Sequence, residues 1–364
     1  MSGARGRPTG SVHFLVPEGV DDAARVSGGN VYDLALRDGL KGLGWDVRLE
    51  PIRPGEPSMA SLLSTLGDGS LVLVDGLLAA QAPDALVHHS RRLRLVALAH
   101  MISASVAPAH ERAGAGERER RALRAARRVV TTSRWTRDAL VSAGAARAAD
   151  ITVARPGVSP APATVGSSDG GRLLCVGALA PHKGQDVLVH ALSGIDADVE
   201  WTCTFVGSLD TDRGFAAALR ARVESVGLAD RIRFTGVLTG GQLLDVYAAA
   251  DLLVAPSRAE SFGMAVADAV ARGIPVFASR TGGLPEAIGG SGAGVLVPPD
   301  DPSALRAALL RWWTDAAWRS DLRARAERGR LTAPSWLDTA RTVAAVLADL
   351  SSYDDVPVAV GRPA

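Results

Sequence analysis

Two carboxylates eight positions apart stand out first. Glu260 and Asp268 lie in the segment that runs from Pro256-Ser-Arg-Ala through Ser261-Phe-Gly-Met to Gly273-Ile-Pro275. Glu260 ends a loop that follows an apolar strand, and Phe262-Gly263 open a helix. Asp268 then falls about two turns further on and can face the same cleft. An ionised carboxylate accepts hydrogen bonds from vicinal hydroxyls. The first amide N–H groups of the helix are free for a phosphate or sugar oxygen. A capped helix with solvated acids accounts poorly for Glu260 standing directly before Ser-Phe-Gly.

Lys183 supplies the opposite charge. In Val176-Gly-Ala-Leu-Ala-Pro-His-Lys-Gly-Gln185 a strand ends at Gly177 and Lys183-Gly184 precede a helical run. An ammonium on such a loop can neutralise a diphosphate leaving group, or it can be a solvated side chain on a capping turn. Lys41 and Lys183 are the two lysines of a chain that otherwise uses Arg, which tilts the reading toward function. His100 closes a largely apolar run at Leu93–Ala99, where a histidine can hydrogen-bond a sugar, act as acid or base, or simply be a satisfied structural residue. Two glycine pairs precede helices. Ser27-Gly-Gly-Asn30 lets a backbone approach an anion at a helix start, and a tight turn with a Ser or Asn cap explains it equally well. Thr281-Gly-Gly-Leu-Pro-Glu286 reads the same two ways.

Positioning these groups requires alternating strands and helices. Val12–Val16, Asp46–Leu49, Leu71–Val74, Leu93–Ala99, Val129–Thr132 and Ile151–Val153 read as short strands, most of them largely apolar, with a helix predicted from Asn30 to Leu43 between the first two. Gly157–Gly171, rich in Pro, Ala, Ser and Gly, reads as a linker. The pattern then restarts at Leu173–Val176 and continues through Thr202–Val206, Ile232–Phe234, Leu252–Ala255, Pro275–Ala278 and Gly294–Val297. Apolar strands alternating with helices predict parallel sheets covered on both faces. The expected fold class is therefore α/β, with two doubly wound Rossmann-like domains facing a central cleft at the carboxyl ends of their strands. The boundaries fall at 1–160, 161–335 and 336–364, the last being a helix and then a loose tail.

At 364 residues the chain exceeds what one hydrophobic core usually supports. A net charge of +1 leaves no nucleic-acid footprint. The stretch Glu117–Arg128 alternates Glu with Arg and reads as a solvated helix face, so membrane association is not expected. Cys175 and Cys203 sit in apolar runs and read as buried thiols, without disulfide or metal. No apolar run reaches the ~20 residues of a membrane span, and Met1–Gly10 reads as a frayed tail rather than a signal peptide. A cytoplasmic protein is expected.

On these motifs the chain resembles glycosyltransferase family four, the retaining group of the GT-B fold, from Ser27 to about Trp336. The resemblance is carried by Gly28-Gly29, Ala35 to Val47, Val130-Thr-Thr-Ser133, Val153-Ala-Arg-Pro-Gly157, Val176 to Gly184, Phe234-Thr-Gly236 and Pro256 to Glu286. It implies an N-terminal domain for the acceptor and a C-terminal domain for a nucleotide diphosphate sugar, a co-substrate rather than a cofactor. It implies catalytic roles for His100, Lys183 and Glu260. The donor set would be Gly28, Gly29, Lys183, Gly236, Leu238, Glu260, Ser261, Phe262, Gly263, Met264 and Asp268, with Asp268 on the ribose, Glu260 on the sugar, and Gly236 to Leu238 bordering the base. No metal is implied, and the helix from Trp336 would cross back to the N-terminal domain. Two departures stand out. Ala178 replaces an Arg usual beside the second-motif glycine, and Asp268 replaces a Glu.

The expected activity is transfer of a sugar to a small soluble acceptor. A catalytically silent nucleotide-sugar-binding protein competes with it because of Ala178, with Arg258 or Arg280 as alternative sources of the missing charge. A phosphorylase on the same fold is a further alternative. A dinucleotide-dependent oxidoreductase is disfavoured, since no Gly-x-Gly-x-x-Gly follows a strand.

Overall fold

Every apolar run named above forms a strand. The computed structural model describes residues 10–23, 26–330 and 334–352; most of the two expected tails lies outside these. The first six strands are β1 (Gly10–Pro17), β2 (Trp45–Ile52), β3 (Leu71–Asp75), β4 (Arg94–Ala99), β5 (Arg128–Thr131) and β6 (Ile151–Val153). The next six are β7 (Arg172–Val176), β8 (Thr202–Val206), β9 (Ile232–Phe234), β10 (Leu252–Ala255), β11 (Val276–Ser279) and β12 (Gly294–Val297). They make two six-stranded sheets, ordered β2-β1-β3-β4-β5-β6 and β12-β11-β10-β7-β8-β9. All pairs are parallel, with Val72 opposite Leu95 and Cys175 opposite Phe205.

Strand alternation divides each sheet between two cores. Val72, Val74, Leu95 and Ala97 pack on one face of the first sheet, and Leu73, Val96 and Leu98 on the other. In the second sheet Leu173, Cys175, Cys203 and Phe205 face one way; Leu174, Val206, Leu253 and Val276 face the other. Both cysteines are buried free thiols. Burial pushes the Cys175 thiol up to about 12, as expected of a group that only packs.

Three sequence readings change. The first helix runs Gly28–Gly42, not Asn30 to Leu43, because Ser27 Oγ accepts the amide of Asn30 and fixes the N-terminus ahead of the glycines. Gly28 and Gly29 are thus its first turn rather than a loop. The charged stretch splits, since the helix Arg112–Ala125 stops before Arg128 opens β5. Within that helix Glu119 is buried and accepts from the amide and hydroxyl of Ser103, so this face is not wholly solvated. Finally, β2 extends over eight residues, pairing along all of β1.

The chain crosses between the two sheets twice, at one place. Ser335 starts the helix Trp336–Ser351 with a capping box to Asp338. Ala340, Val343, Leu347 and Leu350 of that helix, spaced three and four apart, complete a core of the first sheet. Beside this crossing, the Val158 amide donates to the Pro334 carbonyl at 2.9 Å, and Thr339 Oγ1 donates to the Arg155 carbonyl at 2.6 Å.

A further tie spans the halves. Glu286, in the helix Leu284–Ile288 after β11, accepts the backbone amides of Arg134 and Trp135 at 2.7 and 3.2 Å. It also meets the Arg155 guanidinium at 2.9 Å. A C-terminal carboxylate therefore caps a helix of the other half. Glu286→Ala should destabilise the chain by about 1 kcal/mol. The check is chemical denaturation beside an exposed control such as Glu224→Ala, which should change little.

Candidate functional site

Both sheets have a switch point where strand order reverses, β1 beside β3 in the first and β7 beside β10 in the second. Ligands of open α/β sheets lie outside the carboxyl ends of strands at such points. Gly28 and Gly29 follow β1, Lys183 follows β7 and Glu260 follows β10, whereas His100 follows β4 and Gly236 and Leu238 follow the edge strand β9.

In the second sheet, the chain leaving β7 runs through Gly177 to Lys183, and the chain leaving β10 runs through Pro256 to Glu260. Lys183 Nζ donates to Glu260 Oε2 at 2.6 Å. Both side chains are partly exposed, at 24% and 18%, so the pair can be reached by a ligand. Close packing of backbones fixes the two loops. Gly184 has φ +67, and a Cβ there would sit 2.0 Å from the Pro256 carbonyl oxygen. Gly282 has φ +55, and a Cβ would sit 1.7 Å from the Glu260 carbonyl oxygen. The Thr281-Gly-Gly motif therefore buttresses the Glu260 loop, and Gly283 donates its amide to the Glu260 carbonyl.

Past Glu260, Ser261 and Phe262 are buried, and Gly263, left-handed at φ 100, precedes the helix Met264–Ala271. Phe262 contributes a core side chain, so what this segment offers a ligand is backbone N–H. Asp268 pairs with Arg272 one turn on, at 3.1 Å. Burial raises its carboxyl above the usual range, against the pull of that guanidinium. Gly236 lies in the loop after β9 and accepts the Gly207 amide; Leu238 packs on the adjacent core.

The charge absent at Ala178 is not supplied by Arg258. That guanidinium is held by Asp186 at 2.7 Å and by Asp300, and donates to the Pro181 carbonyl. Its partners raise its pKa further. Arg280 is exposed at the end of β11. In the Lys183 loop, His182 is held below its ordinary value by burial and by the neighbouring ammonium.

The N-terminal wall carries a second cluster. His100, directly after β4, places Nε2 2.7 Å from Asp33 Oδ1 and 3.3 Å from Asp75 Oδ2. Asp33 comes from the helix Gly28–Gly42 and Asp75 ends β3. Asp75 also caps the helix Gly76–Gln81, its Oδ1 accepting from Leu77 and Leu78. The Tyr32 ring meets the imidazole edge-on at 5.1 Å, and its hydroxyl donates to Ala154. Burial lifts the Asp75 carboxyl to about 6. Burial alone would lower His100, but the Asp33 and Asp75 charges outweigh it and hold the imidazole above its ordinary value. These three side chains carry donor atoms of metal-ligand type within 4.8 Å of one another. Their 2.7 Å contact is that of a charge-assisted hydrogen bond.

The two walls converge at the glycine pair. A Cβ on Gly29 would lie 3.5 Å from the His100 ring, and one on Gly28 would lie 3.5 Å from Met264 Sδ. Gly28, Gly29 and His100 thus lie on the N-terminal wall, and Met264 approaches them from the wall that also carries Lys183 and Glu260. Asp33, Asp75 and the cross-domain role of Glu286 escape the sequence reading. The one available signal was Asp75, a carboxylate ending an otherwise apolar run.

Comparison with known proteins agrees with this architecture. Residues 170–315 match the family described as "Glycosyl transferases group 1". The D-inositol 3-phosphate glycosyltransferase of Kineococcus radiotolerans is 32% identical over 246 residues, covering 60% of this chain and 57% of that protein. Its counterpart in Streptosporangium roseum is 31% identical over 261 residues, covering 66% and 60%. The aligned part thus spans under two thirds of these curated relatives. Among solved structures, sucrose-phosphate synthase (tll1590) from Thermosynechococcus elongatus superposes with a TM-score of 0.79 at 21% identity, covering 93% of this chain and 98% of that one. Anabaena Alr3699/HepE in complex with UDP-glucose gives 0.75 at 20% identity, covering 93% and 99%. At such identities the likeness is one of fold. With its match to the group 1 family at residues 170–315 and its paired parallel sheets, the chain is similar to group 1 glycosyltransferases and has the GT-B fold.

Proposed function

We propose that this protein is a retaining glycosyltransferase that moves a sugar from a nucleotide diphosphate sugar to a small soluble acceptor, without a metal. The observation that carries the reading is the Lys183–Glu260 pair at the switch point of the second sheet. It offers one cation for a diphosphate and one carboxylate for hydroxyls, in contact and accessible. Support for a uridine nucleotide comes from HepE, described with UDP and with UDP-glucose. Support for a small acceptor comes from the relatives named for inositol 3-phosphate, a phosphorylated polyol. Among the described residues no helix is long and apolar enough to cross a membrane, and we place the reaction in the cytoplasm.

The nucleotide sugar binds the C-terminal half, and the acceptor enters from the N-terminal half. Lys183, the amides opening the helix at Met264 and the Gly28-Gly29 turn converge on the diphosphate, while Asp268 holds the ribose and Gly236 to Leu238 border the base. Glu260 holds the transferred sugar by its hydroxyls, and His100 lies beside that sugar. The bond from the anomeric carbon to the phosphate oxygen breaks as the acceptor hydroxyl attacks from the same face. The acceptor proton leaves on the departing phosphate. Negative charge grows on the diphosphate, and Lys183 stabilises it most, because electrostatic contacts that strengthen in the transition state lower the barrier. Ala178 favours the competing reading of a silent nucleotide-sugar-binding protein, since one usual cation is absent.

Turnover with a panel of nucleotide sugars and polyol or polyol-phosphate acceptors separates these readings. A tight complex that never turns over identifies the silent protein. Lys183→Ala should lower kcat by ~10²–10³, the usual cost of removing one such stabiliser, with the fold intact by circular dichroism; retention of most activity would sink the assignment. Arg258→Ala, by contrast, should act on thermal stability. Glu260→Gln is expected to reduce kcat more than it weakens binding of the free nucleotide diphosphate, because its carboxylate meets the sugar. Calorimetry with the diphosphate beside steady-state rates reads both quantities, and an unchanged kcat would overturn the role.

A further inference from the structure

The His100 cluster holds more acid than a structural histidine needs. One ring nitrogen, Nε2, faces two buried carboxylates drawn from different elements, Asp33 at 2.7 Å and Asp75 at 3.3 Å. Asp33 Oδ2 is buried without a hydrogen-bond partner. The other ring nitrogen, Nδ1, has no protein hydrogen-bond partner among the described residues, and the side chain is 8% exposed. The ring borders Gly29, whose neighbour Gly28 lies against Met264 of the opposite wall. Nε2 can serve two carboxylates only as an N–H donor, which leaves Nδ1 to face the cleft. The other titratable group packed on the ring, Tyr32, is driven far up by burial and stays neutral. An imidazolium N–H so placed can donate to a hydroxyl of a bound sugar.

We propose that Asp33 and Asp75 are positioning residues that hold His100 doubly protonated, with Nε2–H shared between their carboxylates and Nδ1–H presented to a hydroxyl of the transferred sugar. The ligand rests on the glycosyltransferase reading; the state of the imidazole does not. The carboxylates act through the ring. They fix its orientation and keep the donor proton on Nδ1 at neutral pH, where a free histidine, with a pKa of about 6.5, would largely have lost it.

Nitrogen-15 NMR of histidine-labelled full-length protein tests the ring directly, with His100→Gln assigning the signal. The wild-type ring should carry protons on both nitrogens at pH 7. Its titration midpoint should lie above that of free histidine and fall by roughly one unit in Asp33→Asn or Asp75→Asn. Asparagine is itself a good helix cap, so Asp75→Asn keeps the start of the helix Gly76–Gln81 and guards against a folding failure at position 33. With a turned-over donor, kcat/KM should drop on the alkaline side through the same midpoint. The variants should move that limb down and lower kcat/KM about tenfold above both midpoints, for one lost unit of proton affinity, with little change well below them. A singly protonated ring in the wild type, or a midpoint unmoved in both variants, overturns the proposal. If no donor turns over, the NMR result still decides it, and the failure belongs to the proposed function alone.

Discussion

The site in the second sheet depends on backbones touching where no Cβ fits. The loop from Pro256 to Glu260 is held between Gly184 on one side and Gly282 on the other, each closer to a carbonyl than any side-chain-bearing residue could come. This contact sets the distance between the loops leaving β7 and β10, and so brings Lys183 onto Glu260. Both glycines also have positive φ, so a substitution would meet two penalties together, steric and conformational. Glycine at these positions is a condition for the charge pair rather than a sign of looseness.

The two walls of the cleft handle charge differently. On the second sheet the ion pair is partly exposed and electrically balanced, which keeps its cost of desolvation low and leaves it open to exchange partners with a ligand. On the first sheet the cluster is buried. It persists because the Nε2 hydrogen bond and the two helix-cap bonds to Asp75 offset part of the burial cost. One wall leaves its charge pair partly exposed; the other buries its cluster and fixes its geometry.

Much of this was legible in the sequence because it rests on local patterns. Alternation of apolar runs with helices is set by hydrophobic periodicity, and the strands follow it closely. Lys183 and Glu260 each stood out from their own segment, one by scarcity and one by standing before Ser-Phe-Gly. What was hidden depends on contacts far apart in the chain. Asp33 meets a partner 67 positions away, inside a helix whose pattern gives no hint that an acid is buried. Glu286 reaches 152 positions to Arg134. Arg258 stood beside the right motif, but Asp186 and Asp300, folded against it, take its charge. Glu119 reads as one of several alternating charges until Ser103 comes to rest on it.

The paired crossing has a mechanical consequence. Two bodies joined by a single flexible strand can slide, twist and tilt independently. Here two passages of the chain run side by side and are stitched together by Val158 to Pro334 and Thr339 to Arg155. Like two pins of one door, they limit sliding and twisting of the two halves, and the Glu286 bonds to Arg134, Trp135 and Arg155 add a third restraint.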